Sequence, residues 1–179
     1  ITYTEQPVAV VGLNDTICGD SYGLGAGTSV GTGTWTGSAN TDFTDINNPD
    51  TDVSITNYGT ETLTWTEDNL GCVSSASLDI TFFEVPVANA GPDLSICGTE
   101  IDLEGIASVG QGTWTIPTDV TLDDLNNATT NASVTALGTY TLTWTEDSNG
   151  CVDTDDMEIS FLEVPIASAG SDEGLCQGL

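Results

Sequence analysis

The chain has no lysine, no arginine and no histidine, against 28 aspartates and glutamates, so its formal net charge is −28. Without imidazole or amine there is no histidine base, no Schiff-base lysine, no phosphate-binding lysine loop and no Ser-His-Asp triad. What catalysis could still use is a carboxylate pair or a carboxylate-bound metal. With no cationic side chain to meet phosphate, electrostatic nucleic-acid binding and polybasic docking on anionic lipid are excluded, which leaves neutral, cationic or metal-ion partners. A lysine–asparagine isopeptide bond is impossible, and trypsin has no cleavage site. No apolar run approaches the roughly 18 residues of a membrane-spanning helix. The opening residues Ile1 to Pro7 show neither a basic nor an apolar leader region, so a secretion signal is expected outside this sequence. Helical periodicity is missing as well. Every carboxylate lacks a cationic side-chain partner, and stability is therefore expected to depend on ionic strength.

What the sequence has in abundance is repetition. The interval from Pro7 to Pro86 recurs from Pro86 to Pro165, and the same interval separates Cys18, Cys97 and Cys176; it also maps Trp35 onto Trp114, Trp65 onto Trp144 and Cys72 onto Cys151. Residues 7–85 align with 86–164 without a gap and match at 37 of 79 positions, which chance cannot produce. The segment Ile1 to Glu5 recurs as Ile80 to Glu84 and Ile159 to Glu163. Four parts are therefore expected: the last strand of a preceding repeat (1–6), two β-sandwich repeats (7–85 and 86–164) and the start of a third (165–179), the whole cut from a longer array.

Each repeat reads as β structure. Tyr140, Leu142 and Trp144 alternate with threonines, and Leu78, Ile80 and Phe82 alternate likewise, the period of two of a half-buried strand. Asn149-Gly150 between two such runs is a hairpin signal. Shorter runs at Val53 to Ile55, Leu103 to Ser108 and Gly112 to Thr115 bring the expectation to about seven strands per repeat. Two cysteines fall in each complete repeat, and Cys176 lacks its partner. The pairing expected is Cys18–Cys72 and Cys97–Cys151, with Cys72–Cys97 across the boundary as the alternative; either implies an oxidising compartment. Trp35, Trp65, Trp114 and Trp144 are expected in the cores. An all-β unit of this size with two tryptophans and a disulfide predicts an immunoglobulin-like sandwich. The proline-bearing connector Glu84 to Asp93 predicts repeats stacked end to end as a semi-rigid rod.

The series Val87-Ala88-Asn89-Ala90-Gly91-Pro92-Asp93, Ile96-Cys97-Gly98, Gly112-Thr113-Trp114-Thr115, Gly138 to Trp144 and Asn149-Gly150-Cys151 resembles the PKD-like repeats of very large Bacteroidota cell-surface adhesins of the SprB gliding type, over essentially the whole chain. The Trp-Asp-Phe-Gly-Asp-Gly signature of standard PKD domains is absent, so the resemblance carries over only the broader sandwich. It implies export by the type IX secretion system, display at the cell surface, and a role in adhesion or gliding, with no catalytic residues.

Candidate sites concentrate at the repeat boundaries. Glu84 with Asp93, and Glu163 with Asp172, offer oxygen ligands for calcium, with the hairpin acids Glu67-Asp68 and Glu146-Asp147 as further donors; the alternative is a solvated acidic surface, and Asn14 stands where the other repeats have aspartate. Thr62-Thr64-Thr66 and Thr141-Thr143-Thr145 form stripes suited to an ice or glycan surface or, as the plainer reading, to the solvent side of a strand. Asp15-Thr16-Ile17 fits a short O-glycan acceptor pattern at Thr16. The functional expectation is a non-enzymatic structural and adhesive segment, an extracellular stalk or filament of a cell-surface protein. The alternatives are multivalent glycan-binding modules and a filament that assembles laterally between chains. The expected partners are neighbouring repeats, surface glycans and other cell-surface proteins.

Overall fold

A computed structural model describes residues 3–170. Among them it contains β-strands and no helix, in the order β1 (Val10–Val11), β2 (Asp15–Cys18), β3 (Ser21–Gly23), β4 (Ala26–Gly27), β5 (Thr32–Thr36), β6 (Thr41–Phe43), β7 (Asp52–Ile55), β8 (Gly59–Asn69), β9 (Cys72–Phe83), β10 (Leu94–Cys97), β11 (Glu100–Asp102), β12 (Gln111–Thr115), β13 (Val120–Leu122), β14 (Asn131–Val134), β15 (Gly138–Ser148) and β16 (Cys151–Leu162). Strands β10 to β16 reproduce β2, β3 and β5 to β9 in the register of the sequence repeat, the one that carries Cys18 onto Cys97. The short pair β1–β4 is matched in the second repeat by a single bridge, Asn89 to Ile106.

Each repeat is built on two larger sheets. In the first repeat, β2-β9-β8-β5 form one and β3-β7-β6 the other; in the second, β10-β16-β15-β12 and β11-β14-β13 do so. Alternation along β8 and β9 turns Leu63, Trp65, Leu78, Ile80 and Phe82 inward, against Val53 and Ile55 of the facing sheet, and together they make one apolar cluster. The second repeat has the equivalent cluster around Trp114, Leu142, Trp144, Met157, Ile159 and Phe161. All four tryptophans are at most 2% exposed. They pack in pairs, Trp35 on Trp65 with ring centres 5.4 Å apart and Trp114 on Trp144 at 5.1 Å. The Nε1 of Trp35 donates to the Pro49 carbonyl and that of Trp114 to the Asn127 carbonyl, so these indole donors are satisfied inside the core.

The outer face of β8 and β9 is held by hydroxyls. Thr60 meets Thr81 at 2.8 Å, Thr62 donates to Asp79 at 2.7 Å, Thr64 meets Ser77 at 2.8 Å and Thr66 meets Ser75 at 2.9 Å. The threonine stripe is thus a set of cross-strand pairs, the unit of sheet stabilisation.

Three sequence expectations differ from the structure. The segment Glu67 to Cys72, expected to connect the two long strands, is itself mostly strand, and the turns shrink to two residues, Leu70-Gly71 and Asn149-Gly150, all with positive φ. A two-residue loop with both residues left-handed matches strand twist and needs no longer connection. Asparagine tolerates this conformation where leucine is strained, so Leu70→Asn is expected to raise stability by about 1 kcal/mol, measured as a shift in the guanidinium midpoint. The run Leu103 to Ser108 contributes only the Ile106 bridge, the strand lying one segment earlier at Glu100–Asp102. Residues 3–6, expected as the end of a preceding repeat's last strand, form no strand: Phe82 and Phe83, the equivalents of Tyr3 and Thr4 at the end of β9, are paired to β2, and no described strand lies beside residues 3–6.

The cysteine pairing is a correction. The structure bonds Cys18 to Cys151, with Cα atoms 5.6 Å apart and a sequence separation of 133, and leaves Cys72 and Cys97 as free thiols. Neither Cys18–Cys72 nor Cys97–Cys151 forms, and the reason is strand geometry. Strand β2 runs parallel to β9 with Cys18 beside Phe83, at the last residue of β9, whereas Cys72 is its first. The length of that strand separates the two ends by about 37 Å, against the roughly 7 Å that a disulfide can span. Cys97 beside Leu162 and Cys151 at the start of β16 stand in the same relation. The alternative Cys72–Cys97 does not form either.

By its contacts the chain divides into two compact units. One comprises Ile1–Val87 with Ser108–Gln111 and Glu146–Asp153, the other Ala88–Ala107, Gly112–Thr145 and Thr154–Leu179. The hairpin tip of the second repeat, Cys151 included, therefore belongs to the same compact unit as Cys18.

Candidate functional site

Each repeat has two ends of different chemistry. At the near pole the chain enters and the β8–β9 hairpin turns; at the far pole β9 ends and the chain leaves for the next proline. The near pole is built on a buried carboxylate. Along β8 the inward positions run Leu63, Trp65 and Glu67, and Glu67 is only 2% exposed. A buried carboxylate needs hydrogen bonds from every direction it can accept them. Glu67 Oε1 accepts from the Ser29 amide at 2.9 Å and from Trp65 Nε1 at 3.5 Å, and Oε2 accepts from the Ser29 hydroxyl. That same hydroxyl oxygen accepts from the Val8 amide at 2.8 Å, so the residue following Pro7 is tied through Ser29 to the core carboxylate. Nearby, Asn69 Nδ2 donates to the Glu5 carbonyl at 2.7 Å and the Ala9 amide donates to Ser74. The connector is thus fastened on both sides of the buried Pro7. In the second repeat Val87, Ser108 and Glu146 make the same relay, with both Glu146 oxygens receiving Ser108 donors.

Glycine makes room for this arrangement. A Cβ at Gly33 would run into the six-membered ring of Trp65, and one at Gly112 into that of Trp144. The Gly-Thr-Trp motif of both repeats therefore places a bare backbone under one indole and the second indole two residues on.

Burial is the largest single influence on Glu67 and pushes its pKa up. The Ser29 hydroxyl, the Ser29 amide and Trp65 together outweigh it, and the net pKa is lowered. A carboxyl whose folded pKa is depressed contributes stability that is whole above the ordinary glutamate value of about 4.3 and is lost as pH falls through the folded value. Glu67→Gln is accordingly expected to flatten the acid limb of the stability–pH curve relative to the unsubstituted chain, read from melting temperatures between neutrality and strong acid.

The residues singled out for calcium are put to other uses or lie apart. Asp93 Oδ1 accepts from the Glu158 amide at 2.8 Å, and Asn14 Oδ1 accepts from the Asp79 amide at 2.9 Å in the first repeat. A carboxylate and an amide oxygen serve this bond equally, which explains the exchange of asparagine for aspartate. Asp68 and Asp147 each accept from the turn glycine three residues on. Glu84 and Glu163 are exposed, and Asp172, like Cys176, lies outside the described residues. Among the described residues no three metal-ligating side chains of Asp, Glu, Cys or His gather at one point. Thr16 is exposed on the edge strand β2.

Sequence reasoning missed the Ser29–Glu67 relay. Its signal is nonetheless present, since Glu67 shares parity with Leu63 and Trp65 in a strand whose odd positions face inward.

Comparison with known structures agrees with this architecture. The chain is similar in fold to Drosophila OTK, extracellular domains 3-5, with a TM-score of 0.56 and 11% identity over 88% of this chain and 62% of that one. Sidekick-1 immunoglobulin domains 1-4 align with a TM-score of 0.47 and 10% identity over 90% of this chain and 51% of that one. The chain spans about three fifths of the length of the first and half of the second. The first likeness shows the fold, which is that of tandem immunoglobulin-like β-sandwiches. No protein-family model matches the chain, and no curated protein matches it in sequence.

Proposed function

We propose that the chain is a spacer, a structural segment of an extracellular adhesive protein whose repeats give length and hold a distal binding part away from the cell. The observation that carries the reading is the fastening of each connector: the residue after the boundary proline is tied through a serine to a buried glutamate, in both repeats. A segment that transmits position or load needs its joints fixed in this way. Burial of the tryptophans supports the same reading over a lectin, because sugar platforms require exposed indole faces. The hydroxyls of the β8–β9 stripe are already engaged across the strands, by one another or, at Thr62, by Asp79. A disulfide persists in oxidising compartments, which agrees with an extracellular site. The resemblance to PKD-like adhesin repeats supplies the narrower proposal of a stalk in a gliding or attachment adhesin.

The test is tryptophan fluorescence. The spacer reading expects weak quenching by acrylamide and no emission shift when soluble glycans are added. Free access of acrylamide together with a glycan-dependent shift would favour multivalent glycan binding.

A further inference from the structure

We infer that the first cysteine of each repeat is bonded to the second cysteine of the repeat that follows it, and that Cys72 and Cys97 are attachment points for further repeats of this chain. Within a repeat the two cysteines sit at opposite poles, at the two ends of one long strand, so they cannot reach each other. The observed bond, Cys18 to Cys151, joins the far-pole cysteine of one repeat to the near-pole cysteine of the next. The remaining thiols, Cys72 and Cys97, are a near-pole and a far-pole cysteine. Shifting the observed bond by one repeat period uses each of them once: Cys97 pairs with the second cysteine of a following repeat, and Cys72 with the first cysteine of a preceding one. Cys97 is exposed and Cys72 half-buried. Each bond forms as two thiols give up two protons and two electrons, the electrons reducing the disulfide of a thiol–disulfide oxidase to its dithiol.

These bonds interleave, which sets a limit on extension. From Cys18 the shortest covalent path crosses to Cys151 and follows the chain only as far as Cys176, the equivalent cysteine two repeats on. Two repeats thus hold only about 90 Å of extensible chain when every sheet has come apart, against about 550 Å for the same two repeats in a reduced chain. Pairing inside each repeat would instead leave two such stretches, one per repeat, or about 180 Å. The pairing itself stands on strand geometry and periodicity; only its use as a limit on stretching rests on the spacer reading.

Peptide mapping tests it. Full-length protein purified without reductant is alkylated, cleaved at acidic residues and analysed by mass spectrometry. The expected linked peptides are Cys18 with Cys151, and Cys97 with the second cysteine of the following repeat. Cys72 or Cys97 recovered alkylated, a bond within one repeat, a Cys72–Cys97 peptide, or reductant-sensitive dimers carrying these cysteines between chains would each overturn the rule. None of those results would bear on glycan binding, so failure of the rule and failure of the spacer reading are separable.

Discussion

Cys18→Ser is expected to lower the stability of this chain by about 5 kcal/mol, whereas Cys72→Ser and Cys97→Ser should each change it by less than about 0.5 kcal/mol. The bond to Cys151 spans a sequence separation of 133, and in the chain-entropy model closure of so long a loop removes close to the largest denatured-state entropy a single disulfide can remove. Cys72 and Cys97 close nothing here. Pairing inside each repeat would predict a different pattern, with all three substitutions costly and each bond closing a shorter loop. Guanidinium denaturation of the three variants without reductant reads the difference directly, and adding reductant should bring the unsubstituted chain down to the level of Cys18→Ser.

Gly33→Ala should cost about 3 kcal/mol, at the upper end of what an added methylene does to a packed core. The new methyl has nowhere to go except into the Trp65 ring, whose other neighbours are Trp35 and the apolar cluster. Moving that indole also moves its Nε1 from Glu67, so the loss should be accompanied by a change in tryptophan emission. Gly12→Ala, where an added Cβ meets nothing, serves as the control and should fall within about 0.5 kcal/mol. An equal, small effect at both glycines would mean that the ring is not where the structure places it.

The parts of this fold legible in the sequence are those written as local pattern. Alternation in Gly138 to Thr145 and in Leu78 to Phe82 marks the long strands, Asn149-Gly150 marks a hairpin, and the constant spacing of proline, cysteine and tryptophan marks the repeat. Pairing of distant strands leaves no such pattern. That β2 lies parallel to the end of β9, and so carries Cys18 away from Cys72, is decided by tertiary register, and counting cysteines per repeat cannot reveal it. Glu67 is hard to read for a related reason: next to a turn, an acidic residue looks solvated, while its parity with Leu63 and Trp65 says otherwise. Asp93 resembles a metal ligand because carboxylates at a boundary invite that reading; its partner, the Glu158 amide, lies far along the sequence.

Repeats that are fastened at their joints and bonded each to the next make an array of limited extension. Pulling a longer array of these repeats by its ends tests this most directly. Under non-reducing conditions the end-to-end length should stop at about 90 Å for every two repeats, rising to about 550 Å once the disulfides are reduced. A length of about 180 Å per two repeats without reductant, that left by bonds closed inside each repeat, or an extension indifferent to reduction, would contradict it.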